Sequence, residues 1–543
     1  MTGNHLIRGL SLSLSFLLMM QLTACGDSGS TANDTSENAA TTAPETEYLA
    51  AEDFGGKTIT VLAGNAIGQN YPFFEILAEE ENGETINDAV LERNRYLEEK
   101  YNIQLEAMQI EPGGGKFLSV IQAEAASGSG DFDLTFIHPT DAFSAALQGY
   151  LYPIDALPHI DSSQDWWLSY FNEAASVKGT NYFLGGDMNI ALFAATGLVY
   201  FNKTVQEKYQ IEDLYNLVET GAFTVDRYAS LCRAVTADLD GDTVLGDADI
   251  IGYRGNAYSF QMFLYGFGEL LIKKDSNEEL YLDFSESMTE RIIRAIEVLN
   301  DKPYVQQPNL EAVGFPGFME DRALFMTQPA YQFSVMRDMK SDYGILPLPK
   351  YDKEQPEYFS QIHTTWSSVT AVPITISDTD CDMLGRLIED MAYLSHEIIR
   401  PAFYDTMLRG KYSRDEQSAK IIDLIFDNII VDPAYLMTGY QGFNFDGKHP
   451  SSSQLKSIKD DASTGNANYT WPDFNGNMGG KNIGSDWDRM PALLNVNGTV
   501  YPVSIYGYPH GYTDSSFIKS TFDGKTKFWE ENSYYGMMCI HFK

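Results

Sequence analysis

Between Lys57 and Ile137 the sequence alternates strand-like with helix-like stretches, and this alternation restricts the fold more than any other feature. Lys57 to Gly64 reads KTITVLAG, a β-branched run that ends in a Gly-Asn step suited to a turn. Asn87 and Asp88 offer capping side chains to a helix in which Val90, Leu91, Leu97 and Tyr101 share one face. A second strand is expected over Ile103 to Ile110. A Gly-rich turn, Gly113 to Gly115, then leads into a helix from Phe117 to Ala126, and a third strand is expected over Asp131 to Ile137. Strands that alternate with helices predict βαβ units and a parallel sheet, an α/β fold. Ligands of such sheets sit beyond the carboxyl ends of the strands, which points to Gly64, Asn65, His138, Thr140 and Asp141.

The chain of 543 residues is long enough for two domains, and 44% hydrophobic with 13% aromatic residues supplies a large core. Against 37 Lys and Arg stand 76 Asp and Glu, a formal charge of −39 that repels nucleic acid and anionic headgroups. No nucleic-acid partner is expected. Of four cysteines, Cys25, Cys232, Cys381 and Cys539, no two form a CxxC pair, so neither a zinc site nor a disulfide framework is indicated.

Arg8 precedes an apolar run from Leu10 to Met20 that is too short to cross a bilayer as a stable helix. It is followed by Leu22-Thr23-Ala24-Cys25, which resembles the lipobox of bacterial lipoproteins. That resemblance implies cleavage before Cys25, acylation of its thiol, and residence on the extracellular face of a bacterial cell membrane. An ordinary secretory signal with a chance cysteine is the alternative. Gly26 to about Thr46 is rich in Ser, Thr, Asn and Ala and reads as a flexible tether. The expected organisation is a signal over 1–24, a tether over 25–50, a first lobe mainly over 51–200, and a second over 201–440 with a return to the first. A Gly-, Asn- and aromatic-rich region occupies 441–543.

Four stretches in order, IQAEAASGSGDFDLTFI, AALQGYLYPID, GTNYFLGGD and GLVYFNKTVQEKY, resemble the extracellular solute-binding proteins of ABC importers, the family that includes maltose-binding protein. FMEDRALF, DYGILPLPKYD and SSVTAVPIT bring the likeness closer to the large sugar-binding lipoproteins of Gram-positive bacteria. The resemblance covers roughly Lys57 to Tyr440. It implies a two-lobed, type II periplasmic-binding-protein-like fold with a hinge, in which a monomer closes on a carbohydrate and delivers it to permease subunits. Leu198 to Phe201, a strand followed at once by a helix from Thr204, would carry the chain into the second lobe. The later chain is more helical: Ser287 to Leu299 and Cys381 to Ile398 carry apolar stripes, and Ser413 with Glu416 makes a capping box. The region beyond Gln441 departs from the family pattern.

A sugar site needs aromatic platforms for the apolar ring faces and a few amide or carboxylate partners for the hydroxyls. Candidates are Trp166 and Trp167 after Asp165, Asp187 at the end of its GGD turn, Tyr331, Trp366 before SSVTAVPIT, and the weaker Tyr404 and Tyr440. The resemblance puts Trp366 at the cleft most persuasively, while plain core packing is the alternative for each tryptophan. Asp238, Asp240, Asp242, Asp247 and Asp249 occupy positions 1, 3, 5, 10 and 12 of a twelve-residue loop, with the Val244 carbonyl at position 7. Calcium takes hard oxygens at such spacing, although Thr243 replaces the usual glycine and Asp249 the usual glutamate. The two readings are a structural calcium ion and an exposed acidic turn; no other cofactor is indicated. No enzyme motif completes itself: His396-Glu397 begins a zinc-protease pattern, but Arg400 stands where its second histidine belongs. A surface glycosidase or lyase, or a peptide ligand on the same fold, is the rival reading.

Overall fold

The structure, a computed structural model, describes residues 47–64, 75–111 less 77 and 79, 116–255, and 259–282 less 271 and 279. It further describes a few positions between 287 and 306, then 314–364 less 337 and 338, 366–408, 416–438, and four strands between 477 and 506. Cys25, Asn65, Tyr440, Ser413 and the tether before residue 47 lie outside the described residues.

Strands β1 (Lys57–Ala63), β2 (Ile103–Gln109) and β3 (Leu134–Ile137) are parallel, with β1 in the middle. Ile59, Val61 and Leu62 of β1 are fully buried. The edge strand β2 alternates instead, and its exposed Gln104 and Glu106 are polar side chains that guard an open edge. Between β1 and β2 runs helix α1 (Thr85–Tyr101), which buries Val90, Leu91, Leu97 and Tyr101. It starts before the expected cap: Asp88 is already inside the first turn and accepts from the backbone N–H groups of Asn82 and Gly83 at 3.0 and 3.1 Å. Helix α2 (Lys116–Ser127) leads to β3, and α3 (Pro139–Leu147) follows it, with His138 as N-cap residue and Pro139 in the first turn, where a missing N–H costs nothing.

After α4 (Ser169–Ala175), β4 (Phe183–Leu184) and α5 (Ile190–Ala194), the chain leaves this sheet. It enters a second one through β5 (Gly197–Asn202), all six residues of which are buried. β6 (Ile251–Arg254), β9 (Val305–Gln306), β10 (Ala323–Pro329) and β11 (Tyr343–Leu346) complete it in the order β11-β5-β10-β6-β9. A separate hairpin pairs β7 (Ile272–Lys274) with β8 (Leu280–Leu282), and Lys274 of β7 donates to Ser176, just past α4, at 2.6 Å. The chain returns by β12 (Ser360–Gln361), and β13 (Val369–Ala371) inserts between β3 and β4, antiparallel to both. The first sheet therefore has the order β2-β1-β3-β13-β4, and the molecule has two α/β lobes, each built around its own five-stranded sheet.

The helix Cys381–Leu394 packs on α1 of the first lobe. The expected helix to Ile398 is continuous, but at Ser395–Ile399 it widens into a π-turn before resuming as Arg400–Leu408. Ser395 Oγ donates back to the Met391 carbonyl at 2.6 Å, a bond that competes with the regular backbone ladder. The helix Glu416–Asp427 then packs against β11 of the second lobe. β14 (Ile429–Ile430) returns to pair with β12, in parallel. Among the described residues, no helix is long and apolar enough to cross a membrane.

Candidate functional site

The two lobes are joined where their crossing segments touch. Thr196, leaving the first lobe, bridges Ile362, returning to it, and the His363 N–H donates to the Ala195 carbonyl at 3.1 Å. Two residues past β12, this return segment carries a line of rings. His363 stacks on Trp366 with centroids 4.3 Å apart and planes 20° apart. Tyr331, just beyond β10 of the second lobe, lies 5.8 Å from Trp366, and Tyr435 lies 6.4 Å from His363. Trp366 is partly buried, whereas Tyr331 is 4% exposed.

On the first-lobe side, His138 directly follows β3, and its Nδ1 donates to the Ser367 carbonyl at 3.1 Å. Phe117 meets the His138 ring edge-on at 5.1 Å. Burial, opposed by that carbonyl, holds His138 down at about 4; burial, together with the nearby His138, holds His363 down at about 3. Both imidazoles are therefore neutral at physiological pH. Asp141, in the first turn of α3, accepts from the backbone N–H groups of Phe117 and Leu118 and so ties α3 to the start of α2. Burial outweighs those bonds and pushes its carboxyl up to about 7. Its Oδ2 is buried and has no hydrogen-bond partner among the described residues. A buried oxygen in that state costs stability unless something meets it.

Gly64 closes β1 where a Cβ would stand 2.7 Å from the Ile110 carbonyl oxygen and 2.9 Å from the Phe117 ring. Packing alone accounts for glycine there. Thr140 is buried beside Asp141.

Other residues expected at the ligand are committed to structure. Trp166 and Trp167 are 7% and 3% exposed, and both indole N–H groups donate to the carboxylate of Glu389, each at 3.1 Å. They fix the loop after Asp165 to the helix Cys381–Leu394 and are corrected from platforms to core. Asp187 is fully buried and accepts from His396 Nδ1 at 2.5 Å and from Arg400 at 3.3 and 3.4 Å. Tyr404 donates to Asp423 at 2.7 Å within the same network. The polar atoms of all four side chains are engaged within the chain.

Sequence reading missed His363, since a single histidine in a loop carries no periodic signal. It also missed Glu75, whose Oε1 accepts from the Ala191 N–H at 2.8 Å and from the Ser368 hydroxyl, linking α5 to the approach to β13. Burial pushes the Glu75 carboxyl up to about 7 despite those bonds and the nearby Arg93. Arg93 donates to the Glu75 carbonyl at 2.6 Å and to Ser395 Oγ at 3.0 Å, so one fully buried side chain of α1 reaches the π-turn.

In the acidic loop, Asp238, Asp240 and Asp242 are exposed and can each offer an oxygen within 4.8 Å of the others. Their spacing suits a cation. Two further expected ligands are otherwise engaged: Asp247 pairs with Arg254 at 3.2 Å, and the two oxygens of Asp249 accept from the Leu239 and Gly246 N–H groups, both at 2.7 Å. The Val244 N–H donates to Asp242 at 2.7 Å. Thr243, standing where glycine is usual, has φ +70°, the left-handed conformation that position asks of its residue.

No family model matches the chain, and no curated protein matches it. Among solved structures it is similar to the GacH receptor of Streptomyces glaucescens, at 14% identity over 75% of this chain and 94% of that one, with a TM-score of 0.44. It is also similar to UspC of M. tuberculosis, at 12% identity over 75% and 99% with a TM-score of 0.47. A family 1 extracellular solute-binding protein from Bifidobacterium longum subsp. infantis is similar at 13% identity over 76% and 100%, with a TM-score of 0.44. Likeness at this level assigns neither a family nor a ligand to this chain.

Proposed function

We propose that this chain is the substrate-binding lipoprotein of an ABC importer, a monomer tethered through Cys25 to the outer face of a bacterial membrane. It captures a carbohydrate between its lobes and delivers it to permease subunits. The observation that carries this reading is the stacked pair of His363 and Trp366 on a segment that crosses between the lobes, with Tyr331 of the second lobe beside it. A sugar ring presents axial hydrogens to such a face and hydroxyls at its edges. The neutral imidazoles of His138 and His363 suit an uncharged ligand. Binding rather than bond cleavage is the role this chemistry favours.

A calorimetric or thermal-shift screen against a glycan library, run beside an assay for glycan cleavage, tests the reading. The expected result is saturable binding of an oligosaccharide with no turnover. Steady turnover by purified protein would replace the receptor with a surface glycosidase or lyase. Binding of peptides alone would keep the two-lobed receptor and remove the sugar.

A further inference from the structure

Arg400 opens the helix Arg400–Leu408 immediately after the π-turn, on a helix that packs against α1 of the first lobe. Its guanidinium is almost wholly buried and is held from two sides. On one side Nη1 lies 3.3 and 3.4 Å from the two oxygens of Asp187, which follows β4 of the first lobe. On the other, Nη2 donates to Asp427 at 2.6 Å and to Asp423 at 3.0 Å. Both of those carboxylates belong to the helix Glu416–Asp427, which packs on β11 of the second lobe. Tyr404 adds a bond to Asp423, and Arg400 Nε donates to the Tyr404 hydroxyl. The guanidinium lies over the rings of Phe193 and Tyr404, 6.0 and 5.6 Å from their centroids, and Phe193 in turn meets Phe426 of the helix Glu416–Asp427 at 4.7 Å.

We propose that Arg400 is an interlobe tie, a buried cation shared between Asp187 of the first lobe and Asp423 with Asp427 of the second, which sets the resting balance between closed and open lobes. A buried guanidinium is stable only while its carboxylates stay in place. A rotation that carries the helix Glu416–Asp427 away from Asp187 must break one set of bonds while the charge stays out of water, so the tie resists opening. Because apparent affinity is the intrinsic affinity scaled by the population of the competent state, the tie regulates the ligand site without touching it. This rests on the two-lobed receptor reading, but its test needs no ligand.

The test is a distance distribution from pulsed dipolar spectroscopy on the ligand-free full chain, with spin labels at Gln104→Cys on edge strand β2 and Glu219→Cys in the second lobe, both exposed. Asp423→Asn with Asp427→Asn cuts only the second-lobe end of the tie, at side chains 50% and 56% exposed, so the fold is expected to survive. The expected result is a shift of the distribution toward a second, longer population. Arg227→Gln removes an exposed ion pair with Glu212 inside the second lobe and serves as control, with no shift expected. A distribution for the double variant that superimposes on that of the parent overturns the proposal, as does an equal shift in the control. A shift in a protein that binds no glycan keeps the tie and counts against the sugar reading alone.

Discussion

Trp366 lies face to face with His363, its ring 4.3 Å away, at the point where the returning chain passes between the lobes. A neutral imidazole under an indole makes a flat, rigid double layer. Trp366→Ala should weaken glycan binding by about 1–3 kcal/mol, the range of an aromatic anchor in a desolvated site. Melting temperature should fall little, because the side chain is only partly buried. Isothermal titration with the best ligand of the screen checks it; unchanged affinity would move the platform elsewhere.

Trp167 should behave in the opposite way. Truncating a 3% exposed indole leaves a cavity, so Trp167→Ala should cost about 3–5 kcal/mol of folding stability with little effect on affinity. Glu389, which binds both indoles, is pushed up to about 7 by burial, against the opposing pull of the Asp161 N–H and the two indoles. A carboxyl whose folded pKa is raised contributes fully below its unfolded value, near 4.5, and loses that contribution as pH rises through about 7. Glu389→Gln mimics the protonated form. Its melting temperature relative to the parent should therefore be higher at pH 8 than at pH 5, and chemical denaturation at the two values decides it.

The supersecondary pattern was legible and the long-range pairs were not. Lys57 to Gly64 reads as a strand because β-branched residues alternate there, and β1 ends one residue earlier, at Ala63. The faces of α1 and of Cys381–Leu394 follow from the 3.6-residue spacing of their apolar residues. Trp166 and Glu389 are 223 positions apart, and no local rule relates them. A tryptophan after a loop aspartate looks the same in sequence whether its indole meets a sugar or a buried carboxylate. The capping of α1 failed for a smaller reason: Asp88 serves the loop at Asn82 and Gly83, which local propensity cannot distinguish from a cap.

His396 gives a second pH signature. Burial lowers its pKa, but the hydrogen bond and the charge of Asp187 outweigh burial and leave it above 6.5. The pair's contribution is therefore fully present below about 6.5 and is lost as pH rises through the higher folded value. His396→Gln should lower the melting temperature at pH 6 and have little effect at pH 9. Equal destabilisation at both values would mean that packing, not charge, is what His396 supplies.

Cys25→Ala tests the anchor independently of the cleft. With the proposed lipid on Cys25 removed, the variant should appear in the medium or remain as unprocessed precursor. Unchanged retention together with unchanged mass would leave Leu22-Thr23-Ala24-Cys25 as an ordinary signal with a chance cysteine.

The geometry of the acidic loop makes calcium binding testable in both directions. Asp238, Asp240 and Asp242 bring three exposed carboxylates together, and like charges so placed repel unless a cation joins them. Their backbone bonds, such as Asp238 to the Thr243 N–H at 2.9 Å, hold the turn in shape without the ion. A ligand that binds only the folded state stabilises it by mass action, worth about 2.7 kcal/mol at a hundredfold excess over Kd. Added calcium should raise the melting temperature over that in chelator, and Asp240→Ala with Asp242→Ala should abolish the difference. Asp247→Ala should preserve it, because that carboxylate is committed to Arg254. A melting temperature indifferent to both chelator and calcium would make the loop an acidic turn, held by these backbone bonds together with those of Asp249 to the Leu239 and Gly246 N–H groups.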